Sequence, residues 1–212
     1  QSFFDSDLEW MNRSHNTMQS HQCLEWALKE GFNNMSIDLI FGSPSTSDIQ
    51  WKKNLELAVE YGIRHLSCYG LTVEEGTALE YFIKNGKSKA PSDQSALQQF
   101  EYAMSFLADE GYIQYEISNY CFPGSEAVHN SNYWKQKNYL GIGPSAHSFN
   151  GHTRQWNIAN NVKYINALAD NQLPSETELL SPKDRFNEYL LTGLRTIWGC
   201  DINKLHEINS AG

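Results

Sequence analysis

The sequence predicts an α/β fold built on a parallel sheet with helical crossovers. Strand-like and helix-like stretches alternate through the first 120 residues. The strand-like runs are short, continuous and apolar, as strands covered on both faces are. The helix-like runs carry an apolar stripe at helical spacing and stop at glycine. A doubly wound sheet or part of a β/α barrel produces this pattern, and both place ligands at the C-terminal ends of the strands.

Thr17 to Glu30 sets Leu24, Ala27 and Leu28 on one face, and Gly31 ends it. Met35 to Phe41 is a buried strand closed by Gly42 and Pro44. Asp48 to Tyr61 is a helix with Trp51, Leu55 and Ala58 aligned, and Arg64 to Tyr69 is the next strand. A short helix is expected over Thr77 to Asn85. Pro91-Ser92-Asp93 then opens a long helix with Leu97, Phe100, Met104 and Leu107 on its stripe. Gly111 stops that helix, and Tyr112 to Asn119 reads as one further strand.

Beyond Asn119 the pattern breaks. Cys121 to Trp156 is rich in aromatics, Asn, Gly and His, with no clean period. So long an irregular stretch in a compact domain is expected to carry function. Asn160 to Asp170 is a short helix. Ser181-Pro182-Lys183-Asp184 is a helix start, with Ser as N-cap, Pro at the first position and an acid near the positive dipole end.

Of 212 residues, 16 are Lys or Arg and 25 Asp or Glu, a net charge of −9. That balance argues against a nucleic-acid partner, whose phosphates need neutralising cations. An aromatic content of 13% excludes a disordered tail. No apolar run approaches the ~20 residues of a transmembrane helix. The cysteines, Cys23, Cys68, Cys121 and Cys200, form no C-x-x-C pair and supply no local zinc or iron–sulfur ligand set. They fit reduced thiols in a cytoplasmic protein. Gln1-Ser2-Phe3 looks like an element already under way, so an excerpt of a longer protein is expected.

Asp38 stands on the strand face opposite Ile37, Leu39 and Phe41. A buried carboxylate there needs a cation or several donors, or it serves a ligand at the end of a barrel. Gly141-Ile-Gly-Pro-Ser-Ala146 matches G-x-G-x-x-A formally, but no buried strand precedes it and no acid follows about 20 residues on. Its glycines let the backbone pass close to a ligand or another strand. The densest chemistry is His129-Asn-Ser-Asn-Tyr133-Trp134, followed by Tyr139, His147, His152 and Trp156. Its histidines suit a metal and its aromatics a flat apolar ligand, although the spacing matches no standard zinc pattern.

Seven stretches in register carry a resemblance: Gln1-Ser-Phe3, Met11-Asn-Arg13 with His15, Ser36-Ile-Asp-Leu-Ile-Phe-Gly42, His65-Leu-Ser-Cys-Tyr-Gly-Leu-Thr72, Tyr115-Glu-Ile-Ser-Asn119, His129-Asn-Ser-Asn-Tyr-Trp134 and Tyr139-Leu-Gly-Ile-Gly-Pro-Ser-Ala-His-Ser148. Together they resemble the radical SAM, oxygen-independent coproporphyrinogen III oxidase-like family. The H-N-x-x-Y-W element is similar to the heme chaperone branch, HemW, rather than to the authentic oxidase, HemN.

The resemblance implies the C-terminal part of a partial (β/α)6 barrel over residues 1–120. Residues 121–212 then form a HemN-type C-terminal region with the heme motif and the start of a small, mainly helical accessory domain. The family's C-x-x-x-C-x-x-C motif is missing, so the [4Fe–4S] cluster is expected in the intact parent and not on this chain. S-adenosylmethionine contacts carry over to Gln1, Arg13, Asp38 and, through backbone, Thr72. His129 carries over as heme-iron ligand, with Tyr133 and Trp134 covering the macrocycle and His147 and His152 as secondary candidates. Lys135, Lys137 and Arg154 are near enough in sequence to meet the propionates.

The implied function is a heme chaperone that passes heme to an acceptor, such as a membrane-associated respiratory protein. The alternative is radical-based oxidative decarboxylation of coproporphyrinogen III. A metal-dependent hydrolase using His129, His147 and His152 is a third reading. The parent is expected in the cytoplasm.

Overall fold

The structure, a computed structural model, describes residues 1–210, with side chains through Ile208. It divides into two compact units, Gln1–Glu126 and Ala127–Gly212.

The first unit contains α1 (Asp5–Trp10), α2 (Thr17–Lys29), β1 (Ser36–Phe41), α3 (Asp48–Glu60), β2 (His65–Gly70), α4 (Ala78–Lys84), α5 (Asp93–Asp109), β3 (Ile113–Gln114) and β4 (Asn119–Cys121). Capping boxes start α2, from Asn16 and Gln19, and α3, from Ser47 and Gln50. In each, side chain and backbone at the two positions satisfy each other's free groups. The β1 and β2 strands pair in parallel, from Ser36 opposite His65 to Phe41 opposite Gly70. Helix α3 makes the crossover.

The expected single strand over Tyr112 to Asn119 is instead two short strands around a tight turn. Tyr115 N donates to Asn119 O at 3.1 Å, and Asn119 N donates to Glu116 O at 3.3 Å. The Asn119 side chain also donates to the buried Glu116 carboxylate. The chain therefore reverses, β4 runs antiparallel to β2, and the sheet order is β1-β2-β4-β3. Local hydrogen bonds between Glu116 and Asn119 override the apolar character of the stretch.

The core lies between this sheet and helices α3 and α5, with Leu39, Trp51, Leu55, Leu66 and Leu107 essentially without solvent contact. A buried amide, Gln99 of α5, ties its parts together. Its Oε1 accepts from Gly42 N at 2.8 Å, and its Nε2 donates to Thr46 O at 3.1 Å and Asp48 Oδ1 at 2.9 Å. Its carbonyl accepts the Trp51 indole N–H at 2.7 Å. The loop leaving β1 and the start of α3 are thus clamped to α5. Gly42 has φ +76°, and a Cβ there would press on Ala96 at 3.1 Å, so glycine is needed at this turn.

The second unit contains α6 (Val128–Trp134), β5 (His147–Phe149), β6 (Thr153–Asn157), α7 (Asn161–Ala169), β7 (Ser175–Leu179), α8 (Pro182–Gly193) and α9 (Ile202–Ser210). Beside its helices it holds a three-stranded antiparallel sheet, β5-β6-β7, which periodicity did not reveal. Its strands are short and mostly polar, so they lack the apolar signature. Gly141 serves a close backbone approach, and Gly143 a left-handed backbone at φ +105°. A Cβ on Gly141 would collide with the His147 backbone, and buried Asn157 donates to Gly143 O at 2.9 Å.

Candidate functional site

In the first unit Ile40 N donates to Gln1 O at 3.0 Å, so residues 1–3 run beside the free edge of β1. A buried polar knot holds them there. Asn54 Oδ1 accepts from Phe3 N at 2.7 Å, and Ser2 Oγ donates to Asp7 Oδ2 at 2.7 Å. Ser2, Asp7 and Asn54 carry no catalytic signature and escape sequence reasoning. Nothing in the local sequence sets Asp7 or Asn54 apart, since each stands among other polar and charged residues.

Beside this edge lies a cavity of about 610 Å³, lined by Gln1, Ser14, His15, Gln19, Cys23 and Asp38 among others. Asp38 is exposed toward it, contrary to the burial expected of a mid-strand carboxylate, so it needs no compensating ion pair. Burial lowers the pKa of the His15 imidazole, and the nearby Arg13 guanidinium adds to that. Gln1 and Asp38 thus line one cavity, whereas Arg13 is not among its lining residues, although its neighbours Ser14 and His15 are. Thr72 lies apart, just past β2, with its hydroxyl 3.5 Å from Gly70 O.

One strand over, His65 is buried and bridges three elements. Nδ1 lies 2.6 Å from Ser36 Oγ, and Nε2 lies 2.7 Å from Tyr115 Oη. Burial lowers its pKa, and the Asp38 carboxylate opposes that shift.

In the second unit, α6 presents His129 to solvent. The ring of Tyr133, four residues on and hence on the same helix face, meets the imidazole edge-on at 5.1 Å between centroids. Tyr139 backs Tyr133 at 4.8 Å, and Phe149 lies 6.0 Å beyond. Trp134, five residues from His129, sits about 140° round the helix and is half-buried. The structure thus joins His129 to Tyr133 and sets Trp134 aside.

His147 packs beside Trp156 at 6.3 Å, and His152 Nδ1 lies 3.5 Å from Arg185. Two of the three expected propionate cations are engaged elsewhere. Arg154 pairs with Glu188 at 2.9 Å, and Lys135 lies 3.9 Å over the Trp198 ring. Lys137 is exposed.

Among the described residues, no group of three or more His, Cys, Asp or Glu is placed to hold a metal ion. Cys68 and Cys121 are buried, and burial raises both thiols, Cys121 to about 11. A [4Fe–4S] cluster does not fit these cysteines. S-adenosylmethionine fits the first cavity, whose lining offers the Asp38 acceptor and the Gln1 amide. The exposed imidazole with an aromatic flank fits heme. No helix among the described residues is long and apolar enough to cross a membrane.

No family model matches the chain. It is 36% identical over 167 residues to the heme chaperone HemW of Mycobacterium tuberculosis, covering 79% of this chain and 43% of that protein. It is 31% identical over 208 residues to Bacillus subtilis HemW, covering 98% and 55%. It is 34% identical over 164 residues to the mitochondrial radical S-adenosyl methionine domain-containing protein 1 of Mus musculus, covering 74% and 37%. The chain spans about half the length of the curated relatives it matches. Among solved structures, coproporphyrinogen III oxidase (HemN) from Escherichia coli, described as a radical SAM enzyme, superposes with a TM-score of 0.77 at 20% identity, covering 98% of this chain and 50% of that one.

The fold is that of the C-terminal part of a radical SAM partial barrel followed by its accessory region. The chain belongs to the HemW/HemN-like family of radical SAM proteins.

Proposed function

We propose that the chain is part of a heme-binding protein that delivers heme to an acceptor, and that the intact protein also binds S-adenosylmethionine and a [4Fe–4S] cluster. The observation that carries this is the exposed His129 imidazole held against the Tyr133 edge on a short helix. A neutral imidazole is an ordinary axial ligand for heme iron. Tyr133, backed by Tyr139, restricts the rotation of His129 and offers an apolar wall beside it. The open position of α6 suits loading and release better than permanent burial. In the first unit Asp38 accepts hydroxyl donors of the nucleoside, Arg13 meets the methionine carboxylate, and Gln1 serves either. The intact protein works in the cytoplasm, and its acceptor is a respiratory membrane protein.

Heme titration followed by the Soret band tests the reading. Binding with an imidazole-type spectrum is expected, and His129→Ala should weaken it at least about tenfold, the worth of a coordinate or charge-assisted contact. An unchanged spectrum and affinity in that variant would remove His129 from the site. Turnover of coproporphyrinogen III by the full-length protein under anaerobic, reducing conditions would instead favour the oxidase reading.

A further inference from the structure

A cavity of about 150 Å³ in the second unit is lined by Gln136, Phe149, Gly151, Arg185, Glu188 and Lys204, with Ile208 at its edge. Its volume is that of about five waters, enough for a carboxylate on a short stem. Its charges do not cancel. Arg154 neutralises Glu188, with Nη2 at 2.9 Å from both carboxylate oxygens, and reaches Glu178 at 3.8 Å. Arg185 and Lys204 have no carboxylate partner among the described residues.

Arg185 Nη1 lies 3.5 Å from His152 Nδ1, while its Nε is buried with no acceptor among the described residues. Lys204 Nζ lies 4.3 Å over the Tyr189 ring. That Nε has no accessible surface, so an anion in the cavity meets the terminal guanidinium nitrogens of Arg185 and the Lys204 ammonium. Arginine with lysine is a pairing suited to a carboxylate.

The cavity is tied to His129 inside the same unit. Rings run from His129 to Tyr133, Tyr139 and Phe149, and Phe149 lines the cavity. Gln136, another lining residue, follows α6 by two positions. We propose that this pocket binds a carboxylate, and that in the heme-loaded protein the carboxylate is a porphyrin propionate. The propionate assignment rests on the heme reading of His129. The same chemistry has a second source, a free small carboxylic acid.

The test compares heme with heme dimethyl ester on the full chain and on Arg185→Met and Lys204→Met, with a parallel titration of propionate followed at the Arg185 Nε–H by ¹⁵N NMR. Lys204 is exposed, so its variant should fold even where the Arg185 variant fails. Unaltered protein should prefer heme over the ester at least about tenfold, and Lys204→Met should cut that ratio below about threefold without moving the Soret maximum. Equal ratios in the unaltered and variant proteins overturn the propionate assignment. If heme gives no His129-dependent Soret band, it is the heme reading that has failed. A propionate-induced Nε–H shift that Lys204→Met abolishes then still supports the carboxylate site with a free acid as its source, and no shift overturns it.

Discussion

Ile40 donates its backbone N–H to the Gln1 carbonyl at 3.0 Å, which brings Gln1 alongside the strand that carries Asp38. Two residues 37 positions apart in sequence thereby line one cavity. Asp38 is exposed there, so its charge carries no burial cost.

Asp38→Asn should leave stability within about 0.5 kcal/mol, as for exposed substitutions. It should weaken S-adenosylmethionine binding about tenfold or more by removing a charged acceptor. Calorimetric titration beside a urea melt separates the two effects. Equal affinity in the variant would strike Asp38 from the site.

Gln99→Leu should cost about 2–4 kcal/mol. It strands Gly42 N and Thr46 O, each a buried group worth roughly 1–3 kcal/mol when unpaired. The loss should appear as a lower urea midpoint with an unchanged slope. A variant as stable as the unaltered protein would show that water replaces the amide.

His65 makes the first unit acid-sensitive. Its folded pKa is lowered from 6.5, mainly by burial, so the unfolded chain takes up the proton first. The stability tied to neutral His65 is full above pH 6.5 and is lost as pH falls from there through the folded value. His15, also lowered, adds a slope of the same sign. Urea midpoints between pH 7.5 and 5 should fall less steeply in His65→Gln, and identical slopes would exclude His65 as a contributor.

Gly141→Ala should disrupt the second unit, because the new Cβ meets the His147 backbone, which cannot step aside as a side chain can. Overpacking of this kind costs about 1–3 kcal/mol. Hydrogen exchange at the paired Tyr139 and Phe149 amides, which bridge the two segments at 2.9 Å, should accelerate. Unchanged protection at both amides would contradict that close approach.

The sequence by itself determined α2, α3, α4, α5, α7 and α8 and the parallel β1–β2 pair, but not α6, which lies in a stretch without a clean period. Caps such as Asn16, Ser47 and Ser181 act within three residues, and the apolar runs mark β1 and β2 as strands, although β1 buries only Leu39 and Phe41. Family motifs made Gln1, Arg13, Asp38 and His129 candidates, and nothing in the local sequence of Gln1 or Arg13 alone did so. Only the tertiary structure decided that residues 112–121 reverse into two strands, and that polar strands near His147 form a second sheet. It alone turned Asp38 outward, set Trp134 away from His129, and engaged Arg154 with Glu188. It also gave Gln99 its partners across 48 to 57 residues. Helix starts and apolar periods are written in near neighbours, whereas the direction of a strand pair and the partner of a polar side chain depend on groups brought together only by folding.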